Sequence, residues 1–223
     1  MVLIAWSATN IVYQVLRKPS ELFFPLAAAL DKLPADTWRN YGVLFREYST
    51  VVITPELLAA LAQVESAGNP VAHTYWRWHF SWHPFAIYAP ASSAVGLYQM
   101  TDAAFAEARS YCIRRHAVIA DGCWFNALYS RILPSDAIEL TAIFLDRNVA
   151  AILASVTNTA ASLEQKQALA AIVHLCGARP AIAFVRGGFH LASGARCGDH
   201  DPAAYVARVA AMKREFLRFA AAP

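Results

Sequence analysis

An all-α fold, or one nearly so, is expected for this chain. Its 223 residues are 57 % hydrophobic and only 16 % charged. Much of the apolar content is alanine, which favours helices and lets them pack closely. Helix starts and stops recur along the chain, while alternating strand patterns are almost missing. The length suits one domain, read here as a helical extension over residues 1–50 and a main domain over 51–223.

Residues 1–16 are apolar but interrupted by Ser7, Thr9, Asn10 and Gln14. They lack the basic start and small-residue cleavage site of a signal peptide, and are too short and too polar for a membrane span. Residues 20–50 read as one or two helices around Pro34, with Trp38, Tyr41 and Phe45 on one face. Thr54-Pro55-Glu56 is a helix start: a capping hydroxyl, a proline at the first helical position and an early carboxylate. That helix runs through Val64 and stops near Gly68-Asn69-Pro70. Residues 71–95 are aromatic and proline-containing without a clear period, and are expected to be loop. Thr101 or Asp102 caps a helix reaching about residue 117. Further helices are expected at 135–156, 163–176 and 202–220.

A net charge of +3 and a pI of 8.7, without a basic run, give no reason to expect nucleic acid as a partner. Cys112, Cys123, Cys176 and Cys197 form no CxxC pair, which argues against a zinc knuckle. Their even number points to disulfides and an oxidising compartment. Of the possible connectivities, Cys112–Cys123 with Cys176–Cys197 is preferred, since each pair brackets a short polar or glycine-containing segment. Four reduced core cysteines are the alternative.

Glu65 is the candidate for chemistry. Leu58, Leu61 and Glu65 share a helical face, so the carboxyl ends a buried apolar stripe. Desolvation there would raise its pKa and keep it a proton donor near neutral pH. The bland alternative is a solvated glutamate in a last helical turn. Downstream, Ala94-Val95-Gly96-Leu97-Tyr98-Gln99 is a small-residue turn carrying an amide. Glycine permits close backbone approach there, and Gln99 offers a donor and an acceptor that can orient the glutamate or a sugar.

Glu65-Ser66-x-x-Asn69-Pro70 followed by Gly96-Leu97-Tyr98-Gln99 resembles the glutamate-serine and Gly-Leu-x-Gln motifs of the soluble lytic transglycosylases, which are similar in fold to goose-type lysozyme. Residues 53–101 carry the specific part of the resemblance, and a looser likeness extends to about residue 210. Within it, residues 134–145 resemble the next family helix. Residues 168–177 resemble the helix that lines the cleft, which brings His174 to the site. Residues 201–209 resemble the late segment whose tyrosine approaches the glutamate, here Tyr205. The chain departs from the pattern in three places. An aromatic stretch lengthens the gap between Pro70 and Ala91. His174 and Leu175 stand where tyrosine and asparagine are usual. Met100-Thr101-Asp102 replaces the methionine-proline continuation.

The resemblance implies a lysozyme-like catalytic domain that cleaves the β-1,4 bond between N-acetylmuramic acid and N-acetylglucosamine in peptidoglycan, leaving a 1,6-anhydro sugar. Glu65 would be the catalytic acid and base. Ser66, Gly96, Leu97, Tyr98, Gln99, His174 and Tyr205 would bind or position the glycan. No metal or other cofactor is implied, the chain is expected to act as a monomer in the periplasm or cell envelope, and an assembly partner there is left open. A hydrolytic lysozyme of the same fold would need a second carboxylate; Asp102, Glu107 and Asp146 are candidates that read more naturally as caps or surface charges. A non-catalytic glycan-binding or assembly protein is the third reading. The aromatic stretch over residues 73–84 reads equally as a sugar-stacking rim or as a loop with its own small core. His73, His79 and His83 read as packed or surface histidines rather than metal ligands.

Overall fold

Thr54 opens the helix that organises the molecule. In the computed structural model, which describes residues 1–18, 21–23, 29–156 and 160–221, the Thr54 hydroxyl accepts from the Leu57 amide and α3 runs Pro55–Ser66. Every residue from Leu57 to Ala62 is at most 1 % exposed, so α3 is buried all round rather than amphipathic. Its small residues let helices close in from several sides. α2 (Pro34–Glu47) lies against it with Tyr41 and Phe45. α8 (Pro202–Ala221) packs along it through Tyr205, Val209 and Phe216. α2, inside the stretch read as an extension, thus shares one core with α3 and α8. Trp38 of α2 faces Phe216 of α8 at a ring separation of 5.8 Å.

The long α5 (Pro134–Ser155) and α6 (Leu163–Cys176) pack as neighbours and complete this core. Ser162 and Gln165 form a reciprocal capping box at the start of α6, satisfying amides that a helix start leaves open. Asp201 caps α8 by accepting from the Ala203 and Ala204 amides at 2.9 and 3.0 Å. Among the described residues the chain is mostly helical, with α1 (Val2–Arg17), α4 (Asp102–Ala108) and α7 (Ala178–Arg186) as the remaining α-helices.

The expected loop at 71–95 contains a hairpin. β1 (Trp76–Trp78) pairs antiparallel with β2 (Tyr88–Pro90), with Trp78 opposite Tyr88. A helix to residue 117 is also corrected. Thr101 does cap α4, but the helix stops at Ala108, and β3 (Cys112–Arg114) pairs with β4 (Ala117–Ile119). Arg115 and His116 make the connecting turn with φ of 50° and 63°, the mirror-image turn that suits hairpin twist. α7 is a helix where none was expected. Cys112 is bonded to Cys123 and Cys176 to Cys197, the preferred connectivity.

Candidate active site

Glu65 occupies the last turn of α3, with 16 % of its side chain exposed. The αL conformation of Ala67 ends the helix just beyond it. Gly68 follows at φ 68°, and a Cβ there would stand 2.1 Å from the Thr37 hydroxyl oxygen, so α2 presses directly on the turn that terminates the helix. Thr37 also donates to Gln63 at 2.7 Å, and the Gln63 amide donates to the Lys32 carbonyl at 2.9 Å. The segment bearing the carboxyl is therefore clamped from the side facing α2.

Two side chains from distant helices meet the carboxylate. The Tyr205 hydroxyl, on α8, donates to Glu65 Oε1. His174 Nε2, on α6, lies 3.5 Å from the same oxygen, and its side chain is 11 % exposed. The rigid helix starts at Ser162 and Asp201 fix where these two side chains arrive.

The electrostatics differ from the expectation of a raised pKa. Burial, the largest influence, does push the Glu65 carboxyl up. It is outweighed by the His174 charge, by hydrogen bonds from His174 and Tyr205, and by the charge of His200, which together hold Glu65 below its ordinary value of 4.5. The histidine charges act only while the imidazoles are protonated. With those neutral, burial is opposed only by the hydrogen bonds from His174 and Tyr205. Tyr205 is pushed strongly upward by burial and by the Glu65 charge, so its hydroxyl stays a donor.

The Gly96–Gln99 turn is built as a scaffold. Val95 and Met100 exchange backbone hydrogen bonds at 3.3 and 3.1 Å across it. Gly96 has φ 80°, and a Cβ there would stand 2.2 Å from the Arg131 carbonyl oxygen. Leu97 and Tyr98 are at most 1 % exposed and anchor the turn in the core; burial pushes the Tyr98 phenol up. Ser66 joins the two motifs: its hydroxyl lies 2.7 Å from the Leu97 carbonyl and 3.0 Å from that of Ala62. The Gln99 side-chain amide donates to the carbonyls of Ala72 and Gly96, each at 3.0 Å. That amide therefore braces the loop rather than Glu65.

His200 carries the clearest signal that sequence reasoning missed. It lies on the loop before α8, where its amide and carbonyl pair with those of Cys197 at 3.1 and 2.9 Å. Cys197 is bonded to Cys176, the last residue of α6 and two positions beyond His174. One disulfide thus ties the loop of His200 to the helix of His174. His200 also directly precedes Asp201, the cap of the helix whose Tyr205 meets Glu65, so the bridge and α8 together hold the second imidazole within electrostatic reach of Glu65.

The other carboxylates have structural partners. Asp146 accepts from the Thr50 hydroxyl at 2.6 Å, Glu107 from Asn148 at 2.8 Å, and Asp102 pairs with Arg131 at 2.7 Å. Two further acids are buried. Glu139 accepts from the Ile113 amide and the Tyr129 hydroxyl, both at 2.7 Å. Glu21 pairs with Lys18 at 3.0 Å and accepts from Trp76 Nε1 at 2.7 Å. Among the described residues no cluster of His, Cys, Asp and Glu is arranged to hold a metal ion.

No protein-family model matches this chain, and no curated protein matches it. The chemical reading therefore rests on the arrangement around Glu65. That arrangement is one desolvated carboxylate, one phenol donor and two imidazoles, beside a turn held rigid through Gly96 and Ser66. Such a set can move a proton onto and off one substrate atom at a time.

Proposed function

We propose that the chain is a peptidoglycan lytic transglycosylase with a lysozyme-like catalytic domain, and that Glu65 is its catalytic acid and base. The observation that carries this reading is the meeting of Glu65, His174 and Tyr205. These residues come from three separate sequence segments, each of which carries part of the resemblance. The mainly helical fold is compatible with the same reading.

In this mechanism a glycan strand covers Glu65 and excludes water, which strengthens the upward pull of burial on its pKa. Glu65 gives its proton to the glycosidic oxygen between N-acetylmuramic acid and N-acetylglucosamine. The C1–O bond breaks, and the 2-acetamido group of the substrate stabilises the cationic centre. Ionised Glu65 then takes the proton from the 6-hydroxyl of the same sugar as O6 bonds to C1. The products are a free 4-hydroxyl and a 1,6-anhydro ring, no water is added, and the proton returns to Glu65. Tyr205 donates to the carboxylate while it is charged, and His174 modulates its proton affinity. One carboxyl suffices for this scheme, in keeping with the structural partners held by the other buried acids.

The test is mass spectrometry of peptidoglycan treated with wild type and with Glu65→Gln. Anhydro-muropeptides from the wild type alone are expected. Reducing-end products would replace this reading with a hydrolytic lysozyme. Binding without products would replace it with a glycan-binding or assembly protein.

A further inference from the structure

Helix α1 is built inside out. Two of its polar residues face the protein, while Ser7 and Thr9 are exposed: Asn10 donates to the Tyr88 carbonyl at 2.7 Å and Gln14 to the Phe85 carbonyl at 2.6 Å, and both side chains are buried. Tyr13 stacks on Phe85 at 4.7 Å and Trp6 on Trp78 at 6.4 Å. At 100° per residue, Ile4, Ala8, Ile11, Val12, Val15 and Leu16 fall on the opposite face. Ile4, Ile11, Val12 and Leu16 are between 53 % and 77 % exposed. A helix that packed in the ordinary sense would bury those side chains and hydrate the amides.

The hairpin beneath α1 continues the pattern. Trp78, Phe80 and Trp82 are 70 %, 101 % and 96 % exposed. Residues 1–18 and 71–93 contain no aspartate or glutamate. Their exposed formal charges are those of Arg17 and Arg77, since Lys18 is paired with buried Glu21. Glu21 ties the end of α1 to the hairpin through Lys18 and Trp76, so helix and hairpin form one unit.

We propose that α1 and the β1–β2 hairpin form an interfacial anchor that rests on an anionic phospholipid bilayer. The apolar face of α1 enters the acyl boundary. The exposed tryptophans sit at headgroup level, where amphipathic rings partition. Arg77 meets lipid phosphates with no carboxylate to repel it, while Arg17, which donates to the Tyr13 hydroxyl at 3.2 Å, adds positive charge at the end of the helix. A helix of this length is about 24 Å long, and no helix of the described residues is long and apolar enough to cross a membrane. The anchor therefore lies along the surface. A sugar-stacking rim would use the same rings with Arg77, Ser81 and His83 beside them, but it would leave the apolar face of α1 uncovered. The inference stands independently of the chemistry at Glu65.

Flotation of the full chain with vesicles tests it. The wild type is expected to float with phosphatidylcholine vesicles containing phosphatidylglycerol, and less in high salt. Ile4→Glu/Ile11→Glu is expected to bind about tenfold more weakly, with unchanged far-UV circular dichroism. Trp82→Ser, at a fully solvated ring, is expected to weaken binding too. Tryptophan emission should shift to the blue on vesicle addition in the wild type. The proposal is overturned if the wild type does not float, or if the Ile4/Ile11 variant floats equally well. It is also overturned if the unit instead binds soluble chitooligosaccharides, or forms a dimer that Ile11→Glu dissolves.

Discussion

The competition at Glu65 is between burial, which raises its proton affinity, and a ring of donors, which lowers it. That balance makes the carboxyl sensitive to its neighbours. In His174→Ala the largest opposing influence is removed, so the carboxyl should titrate at a higher pH than in the wild type; carbon-13 NMR of the glutamate carboxyls reads this directly. The sign carries over to stability. A carboxyl depressed by folding stabilises the folded chain above its unfolded pKa, and that gain is lost as pH falls through the lower folded value. The wild type should therefore lose this contribution only in acid, below the ordinary 4.5, while His174→Ala should lose it at higher pH; urea midpoints measured across pH distinguish the two. Tyr205→Phe deletes a hydrogen bond to a charged group and should slow turnover about tenfold. Glu65→Gln should lower turnover by at least about a hundredfold.

Elements differ in how plainly their residues announced them. Thr54-Pro55 and the long apolar runs marked α3, α5, α6 and α8 nearly to their ends, because capping and helical periodicity are local. The β3–β4 hairpin was hidden because Arg115 and His116 hold positive φ without the Asn-Gly or Asp-Gly pair that usually signals such a turn. α7 was hidden by Pro180 in its first turn, a residue tolerated there but easily read as a breaker. The hairpin at 76–90 did leave a signal, since Trp76, Trp78, Phe80 and Trp82 alternate with Arg77, His79, Ser81 and His83, but its strands Trp76–Trp78 and Tyr88–Pro90 are too short for that alternation to stand out beside Pro84 and Pro90. At the site, Glu65, His174 and Tyr205 were legible from motif position. His200 was not, since it falls on no motif position and its place depends on the fold around α8 and the Cys176–Cys197 bridge. The same bridge yields a prediction: Cys176→Ser/Cys197→Ser should keep its helical circular dichroism and lose about 2–4 kcal/mol of stability to urea, with the Glu65 titration shifted upward as His200 is released. Gly96→Ala meets both a positive φ and the Arg131 carbonyl, so a loss of more than about 1 kcal/mol in the same assay is expected.

For the whole molecule, the core and the acid share one helix. Leu57 to Ala62 build the centre of the chain, and Glu65 stands one turn further on. Stability and chemistry are thus separable only by direction along α3. Leu61→Ala should cost about 2–5 kcal/mol by leaving a cavity, read as a fall in the urea midpoint. Trp82→Ala, at a solvated ring, should change that midpoint by less than about 0.5 kcal/mol.

α8 reaches Glu65 through Tyr205 near its first turn and runs on to Ala221, past the contact of Phe216 with Trp38. At the rise of an α-helix, Ala221 lies about 24 Å along the axis from Tyr205. A fluorophore, a biotin or a sensor chip coupled at that end would be held off from Glu65 by a stiff spacer, so the protein can be immobilised there without crowding the carboxylate.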